Sequence, residues 1–168
     1  QNGKIAEAHT FRKYQGVFLA TRLHAIEMAR QSTGLTWWFQ SHHRIWLHHT
    51  IMRNYYLEDR PTTEQEIMQG ATTSPKTMRG ILRTAVEIGS LDPDVLEEDK
   101  RQKCYYPTRG MVSDTDYFFH ADDDDATGVL THMRKNLNEQ FGLDKYRLSD
   151  YERDVENFYQ LMGRMMEA

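Results

Sequence analysis

The sequence SPKTMRGILRTAVEIG occupies residues 74–89 and predicts one amphipathic helix with defined ends. Ser74 is a preferred N-cap residue, and Pro75 suits the first helical position because its missing amide would have no partner there. Apolar residues recur at helical spacing from Met78 onwards, which predicts a buried stripe. Gly89 is well placed to end the helix, because glycine adopts the left-handed conformation without strain.

A shorter helix is predicted immediately before this segment. Thr63 and Glu66 have the spacing of a capping box, in which the threonine hydroxyl accepts a bond from a free amide and the glutamate accepts one from the threonine amide. This helix is expected to end near Gly70, and a short turn separates it from Ser74. Two helices joined by a short turn are typical of a helix-turn-helix.

A β-hairpin is predicted after the second helix. Leu91 begins a strand, the Asp-Pro-Asp run at 92–94 is predicted to form a turn, and residues 103–106 favour a strand that ends at Pro107. Residues 97–101 lie between the strands as a charged tip. A hairpin in this position is typical of a wing.

Helical arms are predicted on both sides of this middle segment, because all four prolines lie between positions 61 and 107. The apolar spacing favours two helices before it and three after it, over about residues 11–31, 37–57, 109–119, 124–141 and 149–166. We therefore predict a mainly α (α+β) fold with a small winged domain in the middle.

The last predicted helix carries a narrow apolar seam. Its residues follow alternating steps of three and four and are Leu148, Tyr151, Val155, Phe158, Met162 and Met165. Such a seam repeats every seven residues and suits packing against one long partner helix. We interpret these six residues as a dimerisation contact.

The net charge of −4 arises from 21 Lys and Arg against 25 Asp and Glu in 168 residues, but it is unevenly placed. Residues 1–59 carry seven basic and four acidic residues (+3), residues 60–110 carry eight of each, and residues 111–168 carry six against thirteen (−7). Nucleic acid is therefore not excluded as a partner, because binding depends on where the cations lie. The single cysteine and the absence of a long apolar run favour a reducing cytoplasm and no membrane span.

Two motifs occur together in the middle segment. A Ser-Pro-x-Thr motif begins at Ser74 and is followed by an apolar residue and by Gly89, fifteen positions after the serine. The wing carries an Asp-x-Arg motif at Asp99 and Arg101, with Thr108 nine positions after the aspartate. In this order and register, the motifs resemble those of the MarR family of winged helix-turn-helix transcription regulators.

The resemblance covers about residues 62–110 and implies a homodimeric, sequence-specific DNA-binding regulator, which we expect to be a repressor modulated by a small, often aromatic, ligand. It assigns a function to each part of the chain: an N-terminal helical dimerisation arm (1–59), a winged helix-turn-helix DNA-binding domain (60–110) and a C-terminal helical dimerisation arm (111–168). No catalytic triad, phosphate-binding loop or paired-carboxylate motif is present. We therefore predict no enzyme activity and no cofactor.

The outward face of the second helix and the wing tip form the predicted DNA-contacting surface. Cationic and hydroxyl side chains at the start of a helix suit a major groove, and Arg79 can make a two-bonded contact with guanine. We predict DNA contacts from Ser74, Lys76, Thr77, Arg79, Arg83, Lys100 and Arg101. A symmetric dimer would place two such helices about 34 Å apart.

The aromatic residues of the N-terminal arm leave two interpretations open. Trp37, Trp38, Trp46 and Tyr55 are candidate ligand-binding residues, because family members bind effectors between the arms and the winged domain. The same side chains would also serve as ordinary core or dimer packing, since aromatic rings dominate protein cores.

Two alternative functions also stay open. Of His42, His43, His48 and His49, only the first and last share a helix face, so four metal ligands do not converge and no metal site is predicted. A His-rich metal-binding helical protein is nevertheless one alternative. The other is a winged-helix module that binds protein without DNA, because residues 60–110 carry no net charge.

Overall fold

The computed structural model describes residues 2–32, 34–120 and 128–141 and the single positions 153, 156, 160 and 164, with side chains from residue 12 onwards. These residues form helices around a three-stranded sheet, which confirms the predicted mainly α class. In chain order the elements are α1 (Asn2–Gln31), a 3-10 helix (Trp38–Gln40), α2 (His42–Glu58), β1 (Thr62–Thr63), α3 (Glu64–Gly70), α4 (Pro75–Glu87), β2 (Leu91–Val95), β3 (Lys103–Pro107), α5 (Arg109–His120) and α6 (Val129–Phe141).

The chain divides into two compact units, residues 1–21 with 132–168 and residues 22–131. In the first unit, the rings of Tyr14 and Phe141 lie 4.5 Å apart between centroids. Lys13 Nζ donates a hydrogen bond to the backbone oxygen of Gln140 at 3.1 Å. These contacts join α1 to α6 within that unit. The functional division into three parts stays a prediction.

The hydrophobic core of the second unit draws on its helices and on the sheet. Its fully or almost fully buried members are Met28, Ala29, Leu35, Trp38, Leu47, Ile51, Met52, Ile67, Met78, Leu82, Ala85, Leu91, Tyr105, Met111, Phe118 and Val129. Burial of a large apolar side chain contributes about 1.5–3 kcal/mol, so this cluster holds α2, α4 and α5 around the sheet.

The α3–α4 pair begins and ends as the sequence predicted. Thr63 Oγ1 accepts a hydrogen bond from the amide of Glu66 at 3.1 Å, and Glu66 Oε2 accepts one from the Thr63 amide at 3.3 Å. This reciprocal capping box fixes the start of α3. Gly89, just after α4, has a φ of +79°, a conformation that strains other residues. The capping box and the glycine stop are therefore both confirmed.

The sheet has the order β1-β3-β2, with both pairs antiparallel. The predicted turn at 92–94 is wrong, because these residues form the middle of β2, with Pro93 opposite Tyr105. Proline is tolerated there since β2 is an edge strand, where one side needs no ladder hydrogen bond. The prediction also omitted β1, whose Thr62 hydroxyl accepts a buried hydrogen bond from Asn54 Nδ2 at 2.9 Å.

The second predicted helix starts later than position 37. Ser41 has an extended backbone (φ −145°, ψ 154°) and separates the 3-10 helix from α2. Its hydroxyl accepts a hydrogen bond from the amide of Arg44 at 3.2 Å and so caps α2. The two adjacent tryptophans therefore precede α2 and do not belong to it.

Helix α1 exposes a row of apolar side chains. Tyr14, Phe18, Leu19, Leu23 and Ile26 are each 50–69% exposed. Their spacing places them along one side of a helix. None of the described helices, α1 included, has both the length and the apolar character needed to cross a bilayer.

Candidate nucleic-acid interface

Helix α4 starts with the predicted Ser-Pro cap. Ser74 Oγ accepts a hydrogen bond from the amide of Thr77 at 3.2 Å, and the two hydroxyl oxygens lie 3.0 Å apart. Pro75 occupies the first turn, where it costs no hydrogen bond. Ser74 and Thr77 both remain exposed, so the cap orders the start of α4 and leaves it open to solvent.

The predicted inward and outward faces of α4 are observed. Met78, Leu82 and Ala85 are at most 2% exposed and belong to the core. The exposed face carries Lys76, Thr77, Arg79 and Arg83. A Cβ added at Gly80 would meet no heavy atom within 4 Å, so the fold leaves open space beside the backbone at this position.

Arg79 has an acidic neighbour that the sequence did not reveal. Its Nε lies 3.5 Å from Oε1 of Glu64, the first residue of α3. The Arg79 side chain is 60% exposed and that of Glu64 is 24% exposed. The two residues are fifteen positions apart, so no helical spacing signals their contact.

The wing tip presents its two cations through a tight turn. Asp99 Oδ1 accepts a hydrogen bond from the backbone amide of Arg101 at 3.1 Å, and the Asp99 carbonyl accepts one from the amide of Gln102 at 3.0 Å. Lys100 and Arg101 are exposed at this tip. Asp99 therefore shapes the backbone of the tip, because its carboxylate bonds the backbone amide of Arg101.

Thr108 explains the spacing between the glycine stop and the wing motif. Its hydroxyl donates to the carbonyl of Gly89 at 2.7 Å, and its amide donates to the carbonyl of Ser90 at 3.0 Å. The same hydroxyl accepts a bond from the amide of Met111 at 3.2 Å, which caps α5. Thr108 thus joins the end of α4, the end of the wing and the start of α5.

We expect Thr108→Val to lower the free energy of unfolding by about 1–2 kcal/mol, because it removes a helix cap and leaves the Gly89 carbonyl without this donor. Urea unfolding followed by circular dichroism measures the change. Thr108→Ser is the matched control and should stay close to the wild type. Equal midpoints for the valine and serine variants would contradict this structural role.

The four candidate ligand-binding aromatics have different surroundings. Trp38 is completely buried, with its ring 4.9 Å from that of Trp37. Trp37 is half-buried and lies 4.3 Å from the guanidinium carbon of Arg44. Trp46 lies beside Gly70, where an added Cβ would come within 2.7 Å of the indole ring. Tyr55 lines a cavity.

That cavity has a volume of about 300 Å³ and lies where the end of β3 meets α2 and α5. Its wall combines apolar, hydroxyl and charged groups: Tyr55, Pro107, Arg109, Val112, Ser113 and Asp116. Asp116 Oδ1 accepts a hydrogen bond from the hydroxyl of Tyr56 at 2.5 Å. Burial and this carboxylate both raise the pKa of Tyr56, so its hydroxyl stays protonated and acts as a donor.

Of the paired histidines, His48 is the one that packs in the protein interior. His48 is 2% exposed; its Nε2 lies 3.1 Å from the hydroxyl of Thr115, and its Nδ1 lies 3.0 Å from Nδ1 of His49. Burial, and then the charge of His49, lower the pKa of His48 to about 3. His42 is exposed, and His43 contacts Thr72 at 3.4 Å. Within the described ranges, no three His, Cys, Asp or Glu residues lie together as a metal site would require.

The structure describes the single cysteine but not the predicted dimerisation seam. The dimerisation seam, Leu148, Tyr151, Val155, Phe158, Met162 and Met165, lies outside the described residues. Cys104 lies within β3 and is buried. Burial, and then the charge of Asp94, raise the pKa of its thiol, which disfavours the reactive thiolate.

Comparison with known proteins finds similar structures at low sequence identity. No family model and no curated protein matches this sequence. A transcriptional regulator from Thermotoga maritima has a TM-score of 0.54 at 12% identity, over 95% of this chain and 96% of that chain. A MepR variant from a multidrug-resistant S. aureus clinical isolate has a TM-score of 0.49 at 15% identity, over 88% and 96% of the two chains.

AbsC, a MarR family transcriptional regulator from Streptomyces coelicolor, is also similar, with a TM-score of 0.41 at 12% identity over 97% of this chain and 96% of that one. These low identities concern the fold and carry no residue-by-residue assignment of function. The chain has the fold of the Thermotoga regulator, and its described elements form the mainly helical winged helix-turn-helix that the resemblance to the MarR family implies.

Proposed function

We propose that this protein is a cytoplasmic, sequence-specific DNA-binding transcription regulator that acts as a homodimer and represses its target genes. The observation that carries the proposal is the exposed face of α4, where Lys76, Thr77, Arg79 and Arg83 stand together on a helix whose opposite side is fixed in the core. Lys100 and Arg101 add a second cationic point at the wing tip. Helix α4 would lie in a major groove, and the wing would contact flanking DNA.

Gly80 supports the same orientation of α4. A glycine inside a helix costs about 1 kcal/mol relative to alanine, and here no neighbouring atom excludes a side chain. The fold therefore does not require glycine at this position. A close approach between the α4 backbone and a DNA strand would require it.

We propose a dimer because one winged domain offers few cations and the chain as a whole is acidic. Two recognition helices on one duplex would double the contacts. The exposed apolar row of α1, from Tyr14 to Ile26, is a surface that a second copy would cover. The predicted seam from Leu148 to Met165 would contribute to the same interface.

We further propose that a small ligand modulates DNA binding from the cavity beside Tyr55. The cavity offers a guanidinium group, hydroxyl groups, a carboxylate and an aromatic ring, which together suit a small polar aromatic molecule. It adjoins α5, which follows the wing through Thr108. A ligand that binds one position of α5 better than another would shift the population of DNA-binding molecules.

We expect the double variant Arg79→Ala with Arg101→Ala to bind a selected operator roughly 10- to 100-fold more weakly than the wild type, because it loses a base contact and a wing contact. The operator is first obtained by selecting bound fragments from the source genome, and affinities are then measured at several salt concentrations. The dependence of affinity on salt should also fall.

The matched control removes two arginines from α1, as Arg12→Ala with Arg30→Ala. Both are exposed and lie outside the winged domain, so operator affinity should change little. An unchanged affinity in the Arg79 and Arg101 double variant would contradict the proposed interface.

One observation favours a second candidate function, a winged module that binds a basic protein. From β2 to β3, five acidic residues (Asp92, Asp94, Glu97, Glu98 and Asp99) accompany three cations (Lys100, Arg101 and Lys103). Failure of the wild type to bind any genomic fragment at low salt would favour this function over DNA binding.

A further inference from the structure

We propose that Glu64 is a positioning residue that holds Arg79 for recognition of a guanine in each half-site. This inference rests on the proposed DNA-binding function and assigns one base contact to it. It starts from the ion pair between Glu64 Oε1 and Arg79 Nε, at 3.5 Å.

The position of Glu64 is fixed by its neighbours. It is the first residue of α3, directly after the N-cap Thr63, and the capping box to Glu66 orders the backbone on both sides. Glu66 is engaged separately, since its two oxygens lie 2.8 and 3.0 Å from Arg60 Nη1. The Glu64 carboxylate, only 24% exposed, is therefore the acidic group presented to Arg79.

The position of Glu64 determines which N–H donors of Arg79 remain available to another partner. An arginine side chain carries five N–H donors in a planar fork, one on Nε and four on the two terminal nitrogens. Nε is the guanidinium nitrogen that lies 3.5 Å from Glu64, so the two terminal nitrogens remain for an external partner. These two donors match O6 and N7 of guanine, the pair of acceptors that arginine most often recognises.

Arg83 provides the contrast within the same helix. It lies one turn beyond Arg79 on the exposed face, and among the described residues it has no hydrogen bond or ion pair. An exposed, unpaired cation of this kind neutralises phosphates without distinguishing bases. Arg79 would therefore supply specificity, and Arg83 would supply affinity that does not depend on sequence.

The role of Glu64 is separable from folding. A partly exposed ion pair at the surface contributes only about 0–1 kcal/mol to stability, so its removal should leave the protein folded. Glu64 also adds a negative charge next to the proposed DNA surface, which weakens nonspecific binding. A residue that lowers general affinity and directs a base contact raises the ratio of specific to nonspecific binding.

The test selects bound sequences from a random duplex pool with the full-length wild type and with Glu64→Ala. We expect the wild type to enrich a guanine at one position of each half-site. Binding to duplexes that differ only at that position should show a preference of at least about tenfold. In Glu64→Ala the preference should fall below about threefold, while affinity for an unrelated duplex is unchanged or higher.

Four further variants make the result specific. Glu64→Gln keeps an oxygen acceptor for Nε and should restore most of the preference. Arg79→Lys keeps the charge but lacks the fork, so it should lose the preference, and it tests the guanine contact even if Glu64→Ala does not fold. Arg83→Ala should weaken binding to all duplexes by the same factor. Glu87→Ala, at an exposed glutamate near the end of α4, is the charge control and should behave as the wild type.

The outcomes separate this inference from the proposed function. If the wild type enriches no sequence, the DNA-binding function itself is wrong. If the wild type enriches a site and Glu64→Ala or Arg79→Lys keeps the same guanine preference, the proposed DNA-binding function is retained and the proposed role of Glu64 is wrong.

Discussion

Replacement of Trp38 by alanine is expected to lower the free energy of unfolding by about 3–5 kcal/mol, which is a large part of the stability of an ordinary domain. Trp38 is completely buried, and its ring lies 4.9 Å from that of Trp37 and 5.7 Å from that of His48. Its removal would open a cavity among side chains that cannot all move to fill it. Urea unfolding followed by far-UV circular dichroism measures the loss.

Two companion variants sharpen this prediction. Trp37→Ala is the matched control and should cost less, because Trp37 is half-buried against Arg44. Trp38→Phe should also lower the free energy of unfolding less than Trp38→Ala does. It keeps a ring in the core, and the indole N–H that it removes has no hydrogen-bond partner among the described residues. Equal midpoints for Trp37→Ala and Trp38→Ala would show that Trp38 is not a core residue.

The Trp38 result also bears on the ligand hypothesis. A variant that loses several kcal/mol of folding stability would bind less ligand simply because a smaller fraction of it is folded. Tyr55 lines the cavity beside α5 and is only partly buried. Tyr55→Phe is therefore a more informative test of ligand binding than any variant of Trp38.

Acidification from pH 7.5 to pH 5 is expected to cost the wild type about 2 kcal/mol more than it costs His48→Gln. The pKa of His48 is about 3 in the folded protein and near 6.5 when exposed. As the pH falls through this interval the unfolded chain binds a proton that the folded chain excludes. The stability is thus complete above about pH 6.5, and its loss approaches about 1.4 kcal/mol for each further pH unit down to about pH 3.

The measurement is the difference in unfolding free energy between the two proteins at each pH. Glutamine is chosen because it can keep a hydrogen bond to Thr115 without titrating between these pH values. His42→Gln is the control, since it makes the same substitution at an exposed position at the start of the same helix. Parallel curves for the wild type and His48→Gln would contradict the buried, neutral state of His48.

The features that the sequence predicted correctly depend on short stretches of chain. Ser74 caps α4 through an amide three residues away, and Thr63 and Glu66 bond each other across one helical turn. Gly89 follows α4 because only glycine adopts its φ of +79° without strain. These interactions involve neighbours in the sequence, so residue types at fixed spacings were enough.

The features that the sequence did not reveal depend on distant partners. The Asp-Pro-Asp run at 92–94 has the composition of a turn, yet pairing with β3 draws it into an edge strand. Glu64 and Arg79 belong to consecutive helices, and only the folded chain brings their side chains within 3.5 Å. The wing motif identified Thr108 in the sequence, but only the folded structure shows its hydrogen bonds to Gly89 and Met111.

Local residue patterns therefore decide where α3 and α4 begin, which side of α4 is buried and where the wing tip carries its cations, because capping and amphipathic spacing act within a few residues. The folded structure alone separated Trp38 in the core from Tyr55 at a cavity, placed His48 beside Thr115 and gave Arg79 its acidic neighbour. Those relations join residues far apart along the chain, and packing in three dimensions sets them.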